Sequence, residues 1–292
     1  MTTIEEALQR ASFRLKKAGL AQARIEAEIL LAGLMKTDRL QIILNRKWKL
    51  SPEMNTLYQD AVEKRCALEP TAYILGEKNF YGYRFSINKS VLIPRPETEM
   101  LIERALHWST LQKQKDLTKI RCIDIGTGSG ALAVTLALKI AGIEVWAVDI
   151  SSDALELARQ NAAEHRVLDK VKLVQGSYLS ALRCFKPRPL FNLVVSNPPY
   201  LSHQDLDILP RGIKDYEPLE ALNGGADGLD GYRAILKELS GFVQKPALVL
   251  LEIGAGQKDA VEEMCLQTGL FSTITFNQDL AGHPRVLEGE IA

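Results

Sequence analysis

The chain has 292 residues, 46% of them apolar and 25% charged, and its 36 Lys and Arg balance 36 Asp and Glu. A chain of this kind buries a sizeable core in one or two domains. Its zero net charge excludes a global field that would draw in nucleic acid or an anionic membrane. Cys66, Cys122, Cys184 and Cys265 are scattered, as are His107, His165, His203 and His283. That spacing predicts free thiols in a reducing cytosol and no metal site. No apolar run reaches the length of a membrane span. Met1 to Arg10 carries acids and no apolar core, so no signal peptide is expected. The expectation is a cytoplasmic protein with no membrane partner.

The first seventy or so residues read as helices only. Thr3 with Glu6 forms a capping box, and Ile4, Ala7, Leu8, Ala11 and Leu15 recur at helical spacing before Gly19 stops the helix. A second helix is expected over Gln22 to Leu34, with Ile25, Ile29, Leu30 and Leu34 on one side. Asp38 caps a third through Leu44. Ser51-Pro52-Glu53 opens a fourth, whose apolar face is Met54, Leu57, Tyr58, Ala61 and Val62. The basic residues Lys36, Arg39, Arg46, Lys47 and Lys49 read as a solvated helix face. Residues 1–72 are thus a helical bundle. Phe80, Tyr81, Tyr83 and Phe85 around Gly82 then predict a β-hairpin linker over 73–94, and Glu97 to about Leu111 a helix.

From Ile120 strands and helices alternate. Strands are expected at Ile120–Ile125, Glu144–Val148, Val171–Gln175, Leu193–Ser196, Ala247–Ile253, Thr273–Phe276 and near Val286. This pattern predicts an α/β domain over 95–292 with a mostly parallel, doubly wound, Rossmann-like sheet. The first of these strands runs into Gly126-Thr127-Gly128-Ser129-Gly130, and Asp149 ends the next, about twenty residues on, where an acid can accept from both ribose hydroxyls. Gly126, Gly128 and Ala131 also satisfy a dinucleotide fingerprint. Asp124, two residues before Gly126, instead suits a ligand with an ammonium and a sulfonium and sits poorly beside a pyrophosphate. A glycine turn of this kind can also be purely structural; Asp124, together with the motif at Asn197, moves the reading towards S-adenosyl-L-methionine.

Asn197-Pro198-Pro199-Tyr200 follows the fourth strand, at the end where open α/β sheets place ligands. Two prolines stiffen the turn and carry no N–H. Asn197 offers an amide donor and a carbonyl acceptor, and Tyr200 a π face. A planar amide or exocyclic amino nitrogen is a poor nucleophile because its lone pair is delocalised. The Asn197 side-chain oxygen and the Pro198 carbonyl can each accept one N–H and localise that pair, while Tyr200 stacks on the plane. Asn197, Pro198 and Tyr200 are the catalytic candidates, and Asn197 to Tyr200 the substrate-binding set. Adenine N6, guanine N2 and a glutamine amide pose the same problem, so these four residues leave the choice open.

Taken with Pro70 to Gly76, Phe80-Tyr81-Gly82, Val91 to Glu99, Glu217-Pro218, Gly224-Gly225, Asp227 to Leu229 and Leu251 to Gly254, the sequence resembles the peptide chain release factor N5-glutamine methyltransferase family, the HemK/PrmC type. The resemblance covers essentially the whole chain. It implies a helical N-terminal domain, a hairpin linker and a class I methyltransferase domain. It also implies a protein substrate, the glutamine of the Gly-Gly-Gln loop of class 1 release factors; the neutral charge and the small helical extra domain fit that better than a nucleic acid, so no direct nucleic-acid partner is expected. By position it assigns Asp124, Gly126, Thr127, Gly128, Ser129, Gly130, Asp149, Tyr178 and Asn197 to the cofactor. Tyr178 stands where the family often has a tryptophan against the adenine. The preceding Gln175-Gly176-Ser177 lacks the usual acid, which leaves the adenine amino group to the Ser177 hydroxyl or to backbone. Arg95, Glu97 and Thr98 either line the cleft or act as caps and ion pairs; Glu217 and Glu252 either serve the site or brace the loop and a strand end.

Overall fold

The computed structural model describes residues 2–114, 117 and 119–292. The chain forms two compact units, Met1–Glu77 with Pro210–Tyr216, and Lys78–Leu209 with Glu217–Ala292.

The first unit is helical. It holds α1 (Ile4–Lys17), α2 (Ala23–Leu34), α3 (Arg39–Leu44), α4 (Pro52–Cys66) and α5 (Thr71–Leu75). The capping box forms: the Thr3 hydroxyl accepts from the Glu6 N–H at 3.3 Å, and the Glu6 carboxylate accepts from the Thr3 N–H at 2.8 Å. Acids in the first turn of α1 and bases in its last turn complement the helix dipole. Helix α2 departs from expectation. It buries Ala23, Ala27, Leu30 and Leu31, and leaves Ile25 and Ile29 36% and 40% exposed. Both sets fit helical spacing. The small face wins because the Tyr58 hydroxyl of α4 approaches closely enough to donate to the Ala27 carbonyl at 2.9 Å, and α1 packs on α2. On α4, Tyr58, Ala61 and Val62 are buried as expected, whereas Leu57 is exposed. The basic stretch is not purely solvated: Arg39 pairs with the buried Glu28 at 2.7 Å, and Arg46 with Glu5 at 3.6 Å.

The second unit begins with a hairpin of β1 (Glu77–Phe80) and β2 (Tyr83–Ser86), turned by Tyr81 and Gly82 at φ 50° and 77°. Pro96–Thr98 forms one 3-10 turn, so α6 (Glu99–Lys113) starts two residues later than expected. Then follow β3 (Arg121–Ile125), α7 (Ala131–Lys139), β4 (Glu144–Asp149), α8 (Ser152–Glu164), β5 (Val171–Gln175), β6 (Phe191–Ser196) and α9 (His203–Asp207). The short α10 (Arg211–Lys214) lies in the segment that belongs to the first unit. The chain ends with α11 (Asp230–Leu239), β7 (Val243–Glu252), α12 (Lys258–Thr268), β8 (Thr273–Gln278) and β9 (Pro284–Ile291).

The seven strands are ordered β5-β4-β3-β6-β7-β9-β8. The first five are mutually parallel, and β9 pairs antiparallel to both β7 and β8. Strand β7 starts four residues earlier than expected and runs through Pro246. The ladder with β6 slips between Phe191 and Leu193, and the Asn192 side chain donates to the Gln244 and Pro246 carbonyls at 3.1 and 3.2 Å. A proline needs no ladder partner at such an irregularity. From β3 the chain winds outward through β4 to β5, then returns to β6 on the other side of β3. That reversal opens a crevice at the carboxyl ends of β3 and β6, the ends that carry Gly126 and Asn197.

Candidate active site

Strand β3 delivers Asp124, fully buried, to the crevice. One carboxylate oxygen accepts from the Thr127 hydroxyl at 2.7 Å and the Ala133 N–H at 3.2 Å; the other, Oδ1, is buried with no partner among the described residues. An unpaired buried acceptor costs a few kcal/mol, about 1–3 by mutational measures, so a cationic group is its natural complement. Burial, aided by the charge of Asp149, pushes the Asp124 carboxyl up to about 7.

The glycine loop is pinned at its base, where the Gly126 and Thr127 N–H groups donate to the Val148 carbonyl at 2.8 and 3.0 Å. Gly126 and Gly128 have φ of 74° and 54° and face open space. Gly130, at φ 79°, lies where a Cβ would stand 3.0 Å from the Ala158 Cβ, so close packing of α8 requires glycine there. Ser129 is held through its carbonyl, which accepts from buried Asn161 at 2.8 Å. The Asp149 carboxylate accepts from the Gly128 N–H at 2.8 Å and the Ser151 N–H at 3.0 Å, so it braces the loop with lone pairs to spare.

Tyr178 is half-buried at φ 46°, and its hydroxyl lies 3.3 Å from where a Cβ on Gly231 would stand; Pro198 is 2.9 Å from the same point. The bare first turn of α11 is therefore what lets the phenol and the Asn-Pro-Pro-Tyr turn share one corner.

That turn is held from several sides. Ser196 donates to the Ile125 carbonyl at 2.7 Å, tying the end of β6 to β3. The Asn197 amide donates to the Thr98 hydroxyl at 3.2 Å, and Thr98 donates to Glu252 at 2.6 Å. The Pro199 carbonyl packs on Gly224, and the Tyr200 ring on Gly254. Gln257 is the residue that sequence reasoning misses: its Nε2 donates to the Tyr200 carbonyl at 2.9 Å and the Gly228 carbonyl at 3.2 Å, while its Oε1 accepts from the Gly254 N–H at 3.0 Å. A glutamine just before a helix, far downstream in sequence, carries no periodic or motif signal. Burial, with the nearby charge of Glu252, pushes the Tyr200 phenol up to about 12, so the ring stays neutral. Arg95 resolves as an ion pair, donating at 2.6 Å to buried Glu217, which also accepts from the Ile93 N–H at 3.4 Å. The Glu217 and Glu252 braces thus converge on the Ile93–Thr98 stretch.

The reversed sheet order, the glycine loop after β3 and the rigid turn after β6 define a Rossmann-like methyltransferase. Residues 6–76 match the PrmC N-terminal domain family and residues 103–215 the methyltransferase small domain family. Release factor glutamine methyltransferases of Bacillus anthracis and Geobacter sulfurreducens are 35% and 36% identical, covering 99% of this chain and 99% and 97% of their own. The chain belongs to the release factor glutamine methyltransferase family. Among solved structures, the hMettl16 catalytic domain in complex with a 3′UTR hairpin superposes with a TM-score of 0.54 at 15% identity, over 83% of this chain and 82% of that one, a likeness of fold.

Among the described residues no helix is long and apolar enough to cross a membrane. The packing around the turn makes one sharp prediction. A Cβ on Gly224 would lie 2.8 Å from both the Pro199 and the Gly228 carbonyl oxygens. Backbone cannot yield as a side chain does, so Gly224→Ala is expected to cost about 1–3 kcal/mol of stability and, by displacing the turn, to lower turnover at least about tenfold. Thermal unfolding alongside steady-state kinetics checks both.

Proposed function

We propose that the chain transfers a methyl group from S-adenosyl-L-methionine to N5 of the glutamine in the Gly-Gly-Gln motif of class 1 peptide chain release factors. The observation that carries the reading is the gathering, at one reversal of strand order, of the unpaired Asp124 oxygen, the open glycine loop and the Asn197–Tyr200 turn. The cofactor supplies a methyl group made electrophilic by its sulfonium. Asp124 meets the cationic end, Gly126 to Gly130 give close backbone approach, Asp149 takes the ribose hydroxyls, and Tyr178 flanks the adenine.

The chain's remaining task is to present a carboxamide nitrogen as a nucleophile. The Asn197 side-chain oxygen and the Pro198 carbonyl accept its two N–H groups, and Tyr200 stacks on the amide plane. The lone pair is thereby turned out of conjugation and towards the methyl carbon. The contribution is orientation and fixed dipoles. No strong base is required, because the nitrogen becomes acidic once alkylated and releases its proton to water. In this reading residues 1–72 recognise the body of the release factor, 73–94 link, and 95–292 catalyse, in the cytoplasm.

An adenine or guanine amino group poses the same chemical problem. The balanced charge of the chain and its full-length relatives among release factor glutamine methyltransferases favour the protein substrate. Incubation with labelled S-adenosylmethionine separates the two. Label is expected on a release factor and absent from one whose Gly-Gly-Gln glutamine is alanine; equal labelling of both, or label only on nucleic acid, rejects the assignment.

A further inference from the structure

Parallel pairing of β6 with β7 sets Ser196 opposite Leu251 and so brings the next residues, Asn197 and Glu252, out side by side at the carboxyl ends of their strands. Thr98, buried at the end of the 3-10 turn, bridges them. A row of three groups runs from a buried carboxylate through a hydroxyl to the catalytic amide: Glu252 Oε2, 2.6 Å, Thr98 Oγ1, 3.2 Å, Asn197 Nδ2.

The direction of this row follows from hydrogen counting. An ionised carboxylate only accepts, and a threonine hydroxyl has one proton to give. The short contact to Glu252 takes that proton, as expected of a charge-assisted hydrogen bond. Thr98 is then an acceptor towards Asn197, and only the NH2 end of that side chain can donate to it. The amide is locked with its oxygen left for an incoming N–H. An asparagine free to flip also presents its NH2 end, which repels the substrate N–H it has to hold.

We propose that Thr98 and Glu252 are positioning residues that fix the polarity of the catalytic Asn197 side chain, so that its oxygen and not its nitrogen meets the substrate. This rests on the methyltransferase reading of the site. Protonation of Glu252 reverses the row: the acid donates to Thr98, Thr98 donates to the Asn197 oxygen, and the NH2 end turns outward. Burial pushes the Glu252 carboxyl up to about 7, against the Thr98 hydrogen bond; among its charged surroundings Glu97 raises it, and Arg285 and Arg95 lower it. The Tyr200 phenol, itself held neutral by burial, and the Tyr232 hydroxyl, 3.1 Å from the Glu252 carbonyl, complete the surroundings. The switch therefore falls in the neutral range, with the productive polarity on its alkaline side.

Two measurements test the proposal, one of them independent of any substrate. In the protein alone, the side-chain 1H–15N signals of Asn197, assigned by their loss in Asn197→Ala, are expected to shift through an inflection near neutral pH. The inflection disappears in Glu252→Gln and in Thr98→Val; its persistence in either variant, or its absence from the wild type, overturns the proposal. With a release factor as substrate, Thr98→Val is expected to lower kcat about 10–100-fold, the loss of one charge-assisted hydrogen bond. Its KM for S-adenosylmethionine should stay within about twofold, since only one oriented hydroxyl is lost, and Thr98→Ser, which keeps that hydroxyl, should recover most of the rate. Glu252→Gln flattens the acidic limb of kcat. A Thr98→Val enzyme with unchanged kcat, or a serine variant as slow as the valine one, overturns the positioning role. A wild-type enzyme that leaves release factors unmethylated rejects the substrate assignment alone, and the amide titration still decides the relay.

Discussion

Asn197→Ala is expected to lower kcat by about 10²–10³-fold, the loss found when one preorganised hydrogen-bonding group at a reacting centre is removed. Affinity for S-adenosylmethionine should stay within a few-fold, because Asp124, the glycine loop and Asp149 are anchored independently of Asn197: the loop to Val148, Asp124 to Thr127 and Ala133. Stability should change little, since the part-buried side chain lost makes, among the described residues, one hydrogen bond, to Thr98. Single-turnover kinetics with calorimetric titration of the cofactor separate these effects. Turnover within threefold of wild type would remove the carboxamide-orienting role of the turn.

Asp124→Asn is expected to act in opposite directions on folding and on binding. The folded-state carboxyl, raised to about 7 from an ordinary 3.8, holds its proton more tightly than the unfolded chain does. Its ionisation therefore opposes folding. The penalty is full above about pH 7 and is lifted as pH falls towards 3.8. A shift of this size corresponds to a destabilisation on the order of 4 kcal/mol at alkaline pH. The asparagine variant never ionises, so without cofactor it should melt higher than wild type at pH 8, the gap narrowing towards pH 5. Cofactor binding should weaken about 10–100-fold, because a charge-assisted partner for the ammonium is replaced by an amide that turns its NH2 towards it. Wild-type affinity should also fall as pH drops below 7, and the variant's should not. Thermal scans across pH and cofactor titration at pH 6 and 8 check the three statements together.

Much of the architecture is readable without coordinates because its signals are local. Thr3 and Glu6 lie within one helical turn, the glycines sit on the chain where the backbone must turn, and short apolar runs alternate with helical ones. What escapes has a common physical origin in contacts between residues distant in sequence. Ile25 and Ile29 obey the same spacing as Ala23 and Ala27, and the packing of α1 and of Tyr58 on α4 decides which face goes inside. Pro246 argues against a strand until the slip in the neighbouring ladder is known. In the candidate site, Asn197 to Tyr200 stand out as a motif, and Thr98, Gly224 and Glu252 fall in other recognisable stretches, but nothing local says that these three meet the turn. Gln257, an ordinary residue ahead of a helix, carries no signal at all. Arg95 and Glu217, which sequence leaves between several roles, become an ion pair only when the chain brings them 2.6 Å apart.

The Pro210–Tyr216 segment carries a consequence for how the chain comes apart. The backbone passes between the two units three times, at Glu77, Leu209 and Tyr216. Within the first unit the Tyr216 hydroxyl donates to the Ala67 carbonyl, and a Cβ on Gly212 would stand 3.1 Å from the Leu68 carbonyl. The residue after Tyr216 is Glu217, the acceptor for Arg95. Cutting the chain at one point near residue 77 therefore yields no two self-sufficient modules, since the larger fragment keeps a seven-residue graft whose partners have been removed. Melting of the helical unit releases the same graft and slackens the tether of Glu217. Local unfolding of the helical unit is therefore expected to reach Glu217, the partner of Arg95, along the covalent chain.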